Sequence, residues 1–327
     1  MMTKSALRVS ACGLGLVAAC GLTAAQPAVF PDFTVTTPND SGGNTLQSLQ
    51  LPTNVLEAGQ TYTTYKVEFD WIPNPAGGFN ARQWDAIWAL TDGPIGPGTF
   101  VADPGPAINA QIGLVPQFQP GSLRWVGVFG NGGLSGSTPL EFNWLQSNAF
   151  TDTTWQDVRI TMDTREIVSS SFGGDTTNAP TWTRFRDTRE AAAEPPSTVQ
   201  NIRYEAVPFF VETDGIYQFT TTTFSDWNGV IAIYQDDFDP SAPNDNRLDL
   251  WVGTAPGTPN LADRTIAFEL EAGNQYFFLQ TGRRSFDAGL WEGEVLGVGG
   301  VTFAIIPAPG AGALLGLAGL MASRRRR

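Results

Sequence analysis

The residues best suited to metal chemistry lie in an acidic loop near the middle of the second half of the chain. Asp236 and Asp237 are followed by Asp239 and then by Asp245. Carboxylate oxygens crowded into a loop rich in Pro and Asn suit Ca²⁺, which accepts irregular coordination. The spacing is not that of an EF-hand, because the glycine and the closing glutamate of that loop are missing. Two interpretations stay open, a calcium site and a solvated turn capped by Asp and Asn side chains.

A second pair of carboxylates, Glu68 and Asp70, lies on one side of a segment that alternates between apolar and polar residues. The pair resembles the first two acids of the Glu-x-Asp-x-x-Glu strand of jelly-roll glucanases. The third acid of that pattern falls on Pro73, so the acid/base that glycoside hydrolysis requires is missing. We therefore expect the pair to form the polar outer face of a half-buried strand.

Tryptophan is the third candidate for ligand contact, because an exposed indole ring stacks on the C–H face of a sugar. The chain has ten tryptophans, and polar neighbours make Trp84, with Trp88 close by, the best candidate for a glycan platform. Alternation places Trp84, Ala86 and Trp88 on one side, which is equally typical of a core face. A buried indole fills a core efficiently, so for any single tryptophan we expect burial.

The composition excludes the commonest catalytic groups. The 327 residues include no histidine, and the two cysteines are Cys12 and Cys20. Ser-His-Asp and Cys-His mechanisms and nearly every zinc site are therefore ruled out, and we expect no catalytic residue and no enzyme activity. The net charge of −13 also argues against nucleic acid as a partner.

The first residues have the pattern of a secretory signal. Lys4 and Arg8 precede an apolar run from Ala11 to Leu22, and Ala24 and Ala25 are small enough for a cleavage site before Gln26. We predict a signal peptide over residues 1–25 and export of the remainder. The alternative is a lipoprotein cleavage box that would leave Cys20 lipidated. Both cysteines lie in this segment, so the exported chain contains no disulfide.

The last residues have a three-part pattern. Pro307, Ala308 and Pro309 come first, an apolar run from Ala311 to Ala322 follows, and the chain ends in Arg324, Arg325, Arg326 and Arg327. The arginines hold the C-terminus on the cytoplasmic side, because arginine keeps its charge and crosses lipid at high cost. The apolar run is near the lower limit for a membrane-spanning helix, about 17 residues. We predict a transmembrane helix that acts as a temporary tether.

This tail resembles the PEP-CTERM sorting signal, with Ala308 in place of the usual glutamate. The resemblance implies an exosortase-like processing enzyme as a partner, and a final location at the cell surface, in the outer envelope or outside the cell. Contact with the membrane would be transient and limited to the C-terminal helix. The alternative is a plain C-terminal membrane anchor.

Between the two signals, the pattern is all-β. Residues from Tyr65 to Trp71 alternate, and Val158, Ile160 and Met162 repeat this alternation. We predict two antiparallel β-sandwich or jelly-roll units. They span residues 26–193 and 198–303, a diproline linker spans 194–197, and the sorting tail spans 304–327.

Each unit also resembles a known family. In the C-terminal unit, the order of the segment Phe209–Phe219, the segment Val230–Tyr234, the acidic loop and the hairpin before Tyr276 is similar to bacterial pre-peptidase C-terminal domains. That resemblance implies an accessory β-sandwich. The N-terminal unit loosely resembles a lectin or laminin-G jelly roll, through Tyr65–Trp71 and the segment that begins at Thr154.

These observations predict an exported, non-catalytic protein with an adhesive or structural role in an exopolysaccharide or biofilm layer. Extracellular polysaccharide is the expected partner, and Ca²⁺ is the one cofactor that the sequence suggests. The alternatives are a glycan-binding module and a carboxylate-dependent glycoside hydrolase.

Overall fold

The computed structural model describes residues 27–37, 47–52, 56, 60–73, 86–92, 121–129, 133–135, 139–146, 153–183, 200–224, 227–243, 245–252 and 263–304. Within these ranges every regular element is a β-strand, and every pair of strands is antiparallel. The all-β, antiparallel prediction is confirmed. No helix long and apolar enough to span a membrane occurs in these ranges. The predicted signal peptide, and the sorting tail beyond Ala304, lie outside them.

The first ten strands belong to the N-terminal half. They are β1 (Ala28–Val29), β2 (Phe33–Thr37), β3 (Gln47–Gln50), β4 (Thr61–Tyr62), β5 (Thr64–Pro73), β6 (Ala86–Asp92), β7 (Gly121–Val128), β8 (Leu134–Ser135), β9 (Leu140–Gln146) and β10 (Thr153–Asp163). Sheet I has the order β1-β10-β5-β7, with β2 also paired to β10, and sheet II has the order β3-β9-β6. Strands β4 and β8 form a separate pair.

The other ten strands form two larger sheets. They are β11 (Val168–Asp175), β12 (Thr181–Trp182), β13 (Ile202–Val211), β14 (Gly215–Thr223), β15 (Gly229–Gln235), β16 (Arg247–Val252), β17 (Asp263–Leu270), β18 (Tyr276–Gly282), β19 (Leu290–Gly297) and β20 (Val301–Phe303). Sheet III has the order β11-β19-β14-β17. Sheet IV has the order β12-β13-β18-β15-β16, with β20 also paired to β13.

Aromatic residues dominate the buried cluster of the N-terminal half. The ring of Phe69 stacks on Trp155 at 4.4 Å and on Trp125 at 5.0 Å between centroids. Phe142 of sheet II meets Trp155 of sheet I edge-on at 6.3 Å, so this cluster joins the two sheets. Large rings bury much apolar area per residue, which supplies stability to a fold without disulfides.

The C-terminal half has a corresponding core between sheets III and IV. Phe219 of sheet III stacks on Phe278 of sheet IV at 5.8 Å, and Trp291 of sheet III stacks on the same ring at 5.5 Å. A second cluster, which includes Trp182, Tyr234 and Leu279, covers the opposite face of sheet IV. Sheet IV is therefore packed on both faces.

Strand pairing divides the chain earlier than the predicted linker at 194–197. Strand β11 pairs along its whole length with β19, and β12 pairs with β13. Both lie before residue 193, in the segment assigned from the sequence to the N-terminal unit, yet they belong to sheets III and IV. The linker itself lies outside the described residues. The linker was predicted from local composition, a diproline. Which sheet a strand joins is decided instead by its pairing with strands far away in the sequence.

Sheets I and III also contact each other. Val126 and Val128 of β7 form a small buried cluster with Ile216 of β14 and Ala267 of β17. The backbone N–H of Val128 donates a hydrogen bond of 3.2 Å to Oε1 of Gln218. The two pairs of sheets therefore share an apolar contact that is much smaller than either core.

Candidate functional site

The acidic loop between β15 and β16 is folded back onto sheet IV. Phe238 contacts the rings of Trp182, Tyr204 and Tyr234, with centroid distances of 5.5, 5.3 and 4.8 Å. The hydroxyl of Tyr234 donates to the carbonyl oxygen of Pro243 at 2.8 Å. Burial raises the pKa of this tyrosine well above its usual range. One aromatic and one proline thus anchor the loop as a cover for the outer face of the sheet.

The carboxylates of this loop make hydrogen bonds within the loop. Oδ1 of Asp239 accepts from the backbone N–H of Ser241 at 2.8 Å and from its hydroxyl at 2.6 Å. These hydrogen bonds hold the pKa of Asp239 below its usual value. Oδ1 of Asp237 accepts from the N–H of Phe238 at 2.8 Å.

The four aspartates predicted as calcium ligands are not assembled into a ligand set. In the ranges that the structure describes, no group of three or more Asp, Glu, His or Cys side chains is placed to hold a metal ion. Asp236 adopts a left-handed conformation with a φ of 67°, and Asp245 follows in a turn. The arrangement supports the alternative interpretation, a turn capped by Asp side chains.

A variant at Asp239 separates the two interpretations. Asp239→Ala removes the acceptor for Ser241 and is expected to lower the melting temperature equally in calcium and in EDTA, because the cap and not a metal is lost. Asp239→Asn keeps an acceptor oxygen and is the matched control. The pKa of Asp239 is lowered in the folded state, so its contribution is present at neutral pH and disappears as pH falls through that pKa. A fall in melting temperature that occurs only with calcium would support the metal site.

The carboxylates of Glu68 and Asp70 are engaged by neighbouring side chains on the outer face of sheet I. Oε1 of Glu68 lies 3.6 Å from Nε of Arg124, and its Oε2 lies 3.9 Å from Nζ of Lys66. Asp70 accepts a hydrogen bond from the hydroxyl of Ser122. Both Lys66, at 3.3 Å, and Arg124 also pair with Glu269 of sheet III. These charges therefore lie at the rim of the contact between sheets I and III.

Of the two tryptophans proposed for glycan contact, the structure describes Trp88, and its ring is buried. Trp88 is only 6% exposed, and its ring packs edge-on against Tyr65 at 5.4 Å and near Trp125 at 6.2 Å. Trp88 therefore belongs to the core and does not form part of an exposed platform for a glycan. Trp84 lies outside the described residues.

Sequence reasoning missed a half-buried glutamate at one end of the C-terminal core. Oε2 of Glu205 accepts a hydrogen bond of 3.0 Å from Nε1 of Trp291, and the N–H of Asp175 also donates to the carboxylate. Burial raises the pKa of Glu205. A Cβ at Gly174 would lie 2.1 Å from Oε2 of Glu205, so glycine leaves room for the carboxylate. The sequence did contain one sign that Glu205 faces the core. It lies two residues before Val207, and alternate side chains of a strand face the same side.

Comparison with known proteins gives no family. No family model matches the chain, and no curated protein matches it. A solved structure of the Sulfolobus Turreted Icosahedral Virus is 10% identical with a TM-score of 0.21, over 82% of this chain and 60% of that chain. The CBM22-1-CBM22-2 tandem domain of Paenibacillus barcinonensis Xyn10C is 8% identical with a TM-score of 0.22, over 85% of this chain and 91% of that one. The chain thus spans less than two thirds of the virus protein, and these likenesses are too slight to assign a function.

Proposed function

We propose that this chain is an exported, non-catalytic protein of the cell surface or extracellular matrix, with an adhesive or structural role in an exopolysaccharide or biofilm layer. The observation that carries the proposal is the tail, in which Pro307, Ala308 and Pro309 precede an apolar run and four terminal arginines. We propose an exosortase-like enzyme as the processing partner and extracellular polysaccharide as the partner in the layer around the cell.

The described fold supports a structural role in three ways. The cores are built from stacked aromatic rings, which suits a chain whose only cysteines are Cys12 and Cys20. The carboxylates of Glu68 and Asp70 are committed to neighbouring side chains. The acidic loop serves as a cover for sheet IV through Phe238. At the finer level, we propose that sheets I and II form one sandwich and sheets III and IV a second, accessory sandwich of the pre-peptidase type.

Replacing Arg324, Arg325, Arg326 and Arg327 with glutamine tests the sorting proposal. Each arginine costs about 2.5–3.5 kcal/mol at the bilayer centre, so the four together oppose passage of the C-terminus through the membrane. Without the arginines the C-terminus is expected to cross the membrane, and the fraction of protein retained at the envelope should fall about tenfold or more. The measurement is fractionation of the producing cells, with mass spectrometry of the C-terminal peptide.

Ala308→Glu is the matched control, because it restores the usual residue of the motif and leaves the arginines intact. It is expected to preserve processing and surface location. Equal retention and identical C-terminal peptides in the wild type and the arginine variant would overturn the proposal.

A further inference from the structure

Strand β11 forms a long, regular and open edge of sheet III. It runs from Val168 to Asp175 and, among the described strands, pairs with β19 alone, in a register without a bulge. Ser169, Ser171 and Gly173 are exposed, and no described strand lies on the other side of β11 in sheet III. An edge of this kind is a template for another strand, because half of its backbone groups point away from the sheet.

The neighbouring turn shows which backbone groups point outward. The N–H of Thr176 donates to the carbonyl oxygen of Gly289 at 3.0 Å, in line with the β11–β19 register. Backbone groups alternate in direction along an antiparallel strand, so Gly174, Phe172 and Ser170 also face β19. The N–H and C=O groups of the residues between them face the open side.

These outward groups are free at three successive positions. Within the part of the chain that the structure describes, the outward backbone groups of Ser169, Ser171 and Gly173 have no hydrogen-bond partner. The fourth outward N–H, that of Asp175, donates to the carboxylate of Glu205. Glu205 therefore closes one end of the edge and leaves the central part open.

In this central part the usual protections of an edge strand are missing. Natural edges carry lysine, proline, a bulge or an inward-pointing charge, which keep other strands away. The stretch from Val168 to Gly174 contains no charged residue and no proline, and three successive serines leave room for a close approach. By contrast, β17 at the opposite edge of sheet III lies beside β7 of sheet I.

We propose that β11 pairs antiparallel with β11 of a second copy of this chain, so that sheet III continues across a two-fold axis through Ser171. The free groups are self-complementary about this residue, because Ser169 then lies opposite Gly173 of the other copy and Ser171 lies opposite itself. Each of these three pairs exchanges two hydrogen bonds, as antiparallel partners do. Such an isologous contact closes as a dimer.

Charge favours this register over a contact elsewhere on the surface. The chain carries 32 acidic and 19 basic residues, so most of its surface repels a second copy. The paired strands bring no like charges into opposite positions, because Asp175 lies opposite Ile167 and Glu166 lies opposite Thr176. Long-range repulsion between the copies is screened by salt, so the dimer is stronger at higher ionic strength. The contact goes beyond the proposed sorting and does not depend on it.

Sedimentation equilibrium of the full chain in mild detergent, over a range of concentrations, tests the proposal together with residue-resolved hydrogen exchange. A monomer–dimer equilibrium is expected, and salt is expected to strengthen it. The amides of Ser169, Ser171 and Gly173 are expected to gain protection as concentration rises. The amides of Ser170, Phe172 and Gly174 already bond to β19 and are expected to be protected at every concentration.

Ser171→Pro removes an outward N–H that sheet III does not use, and proline is tolerated at such edge positions. It is expected to raise the dimer dissociation constant about tenfold or more, because both copies lose a donor. Ser171→Thr keeps the donor and is the matched control, with an unchanged constant. Ser171→Lys places like charges opposite each other and is also expected to weaken the dimer. It replaces the proline variant as the test if that variant does not fold. A monomer at every concentration would overturn the proposal, even if the edge binds another protein instead. A dimer that neither Ser171→Pro nor Ser171→Lys weakens would also overturn it.

Discussion

Replacing Trp155 with alanine is expected to lower the free energy of unfolding by about 3–5 kcal/mol. The side chain is 0% exposed, and its ring lies nearly parallel to that of Phe69, with 3° between the planes. Phe142 of the facing sheet meets the same ring, so the truncation leaves a cavity between sheets I and II. Neighbouring aromatic rings are stiff and fill such a cavity poorly, which places the loss at the upper end of the range for core residues.

Denaturant titration followed by circular dichroism measures this effect. Trp155→Phe keeps most of the buried area and is expected to cost much less than the alanine variant. Val29→Ala, at a side chain that is 59% exposed, is the surface control and is expected to be nearly neutral. A loss below about 1 kcal/mol for Trp155→Ala would contradict the buried position of the ring.

Strands with one buried face were predictable from the sequence. The alternation from Tyr65 to Trp71 lies within β5, where Tyr65, Val67, Phe69 and Trp71 are all buried. Successive side chains of a pleated strand point to opposite faces. The sequence of a half-buried strand therefore alternates between apolar and polar residues. The alternation of Val158, Ile160 and Met162 identifies the inward face of β10 in the same way.

Strand β11 shows what local patterns do not contain. Its residues are mostly serine and glycine, so no apolar alternation marks it as a strand or assigns it to a unit. Its place in sheet III comes from pairing with β19, more than a hundred residues later in the chain. Register between distant strands depends on the packed faces of both, and a composition shift near a diproline carries no information about it.

The candidate sites depend on long-range packing in the same way. An aspartate-rich loop supplies oxygen atoms to a metal or to its own backbone, and only the fold decides between them. Here Phe238 fixes the loop against sheet IV, and the hydrogen bonds of Asp239 to Ser241 satisfy its carboxylate locally. In the same way, the neighbours of Trp88 in the sequence did not reveal that Tyr65 and Trp125 of sheet I cover its ring.

Introducing a carboxylate at Val128 is expected to separate the two pairs of sheets. This side chain is 3% exposed and packs with Ile216 and Ala267 across the contact between sheets I and III. An unpaired buried charge costs about 4 kcal/mol or more, which exceeds what a contact of this size supplies. Opening the contact hydrates the charge without disturbing either aromatic core. Val128→Asp is therefore expected to lose the pairing of Lys66 with Glu269 while both cores persist.

Differential scanning calorimetry of the full chain distinguishes opening of the contact from global unfolding. Val128→Asp is expected to unfold in two transitions, because each pair of sheets has its own core and the link between them is broken. Val29→Asp makes the same chemical change at an exposed position of sheet I and is expected to leave the unfolding profile of the wild type unchanged. A single transition at a lower temperature in Val128→Asp would show instead that sheets I to IV fold as one cooperative unit, since the charge would then destabilise both cores at once.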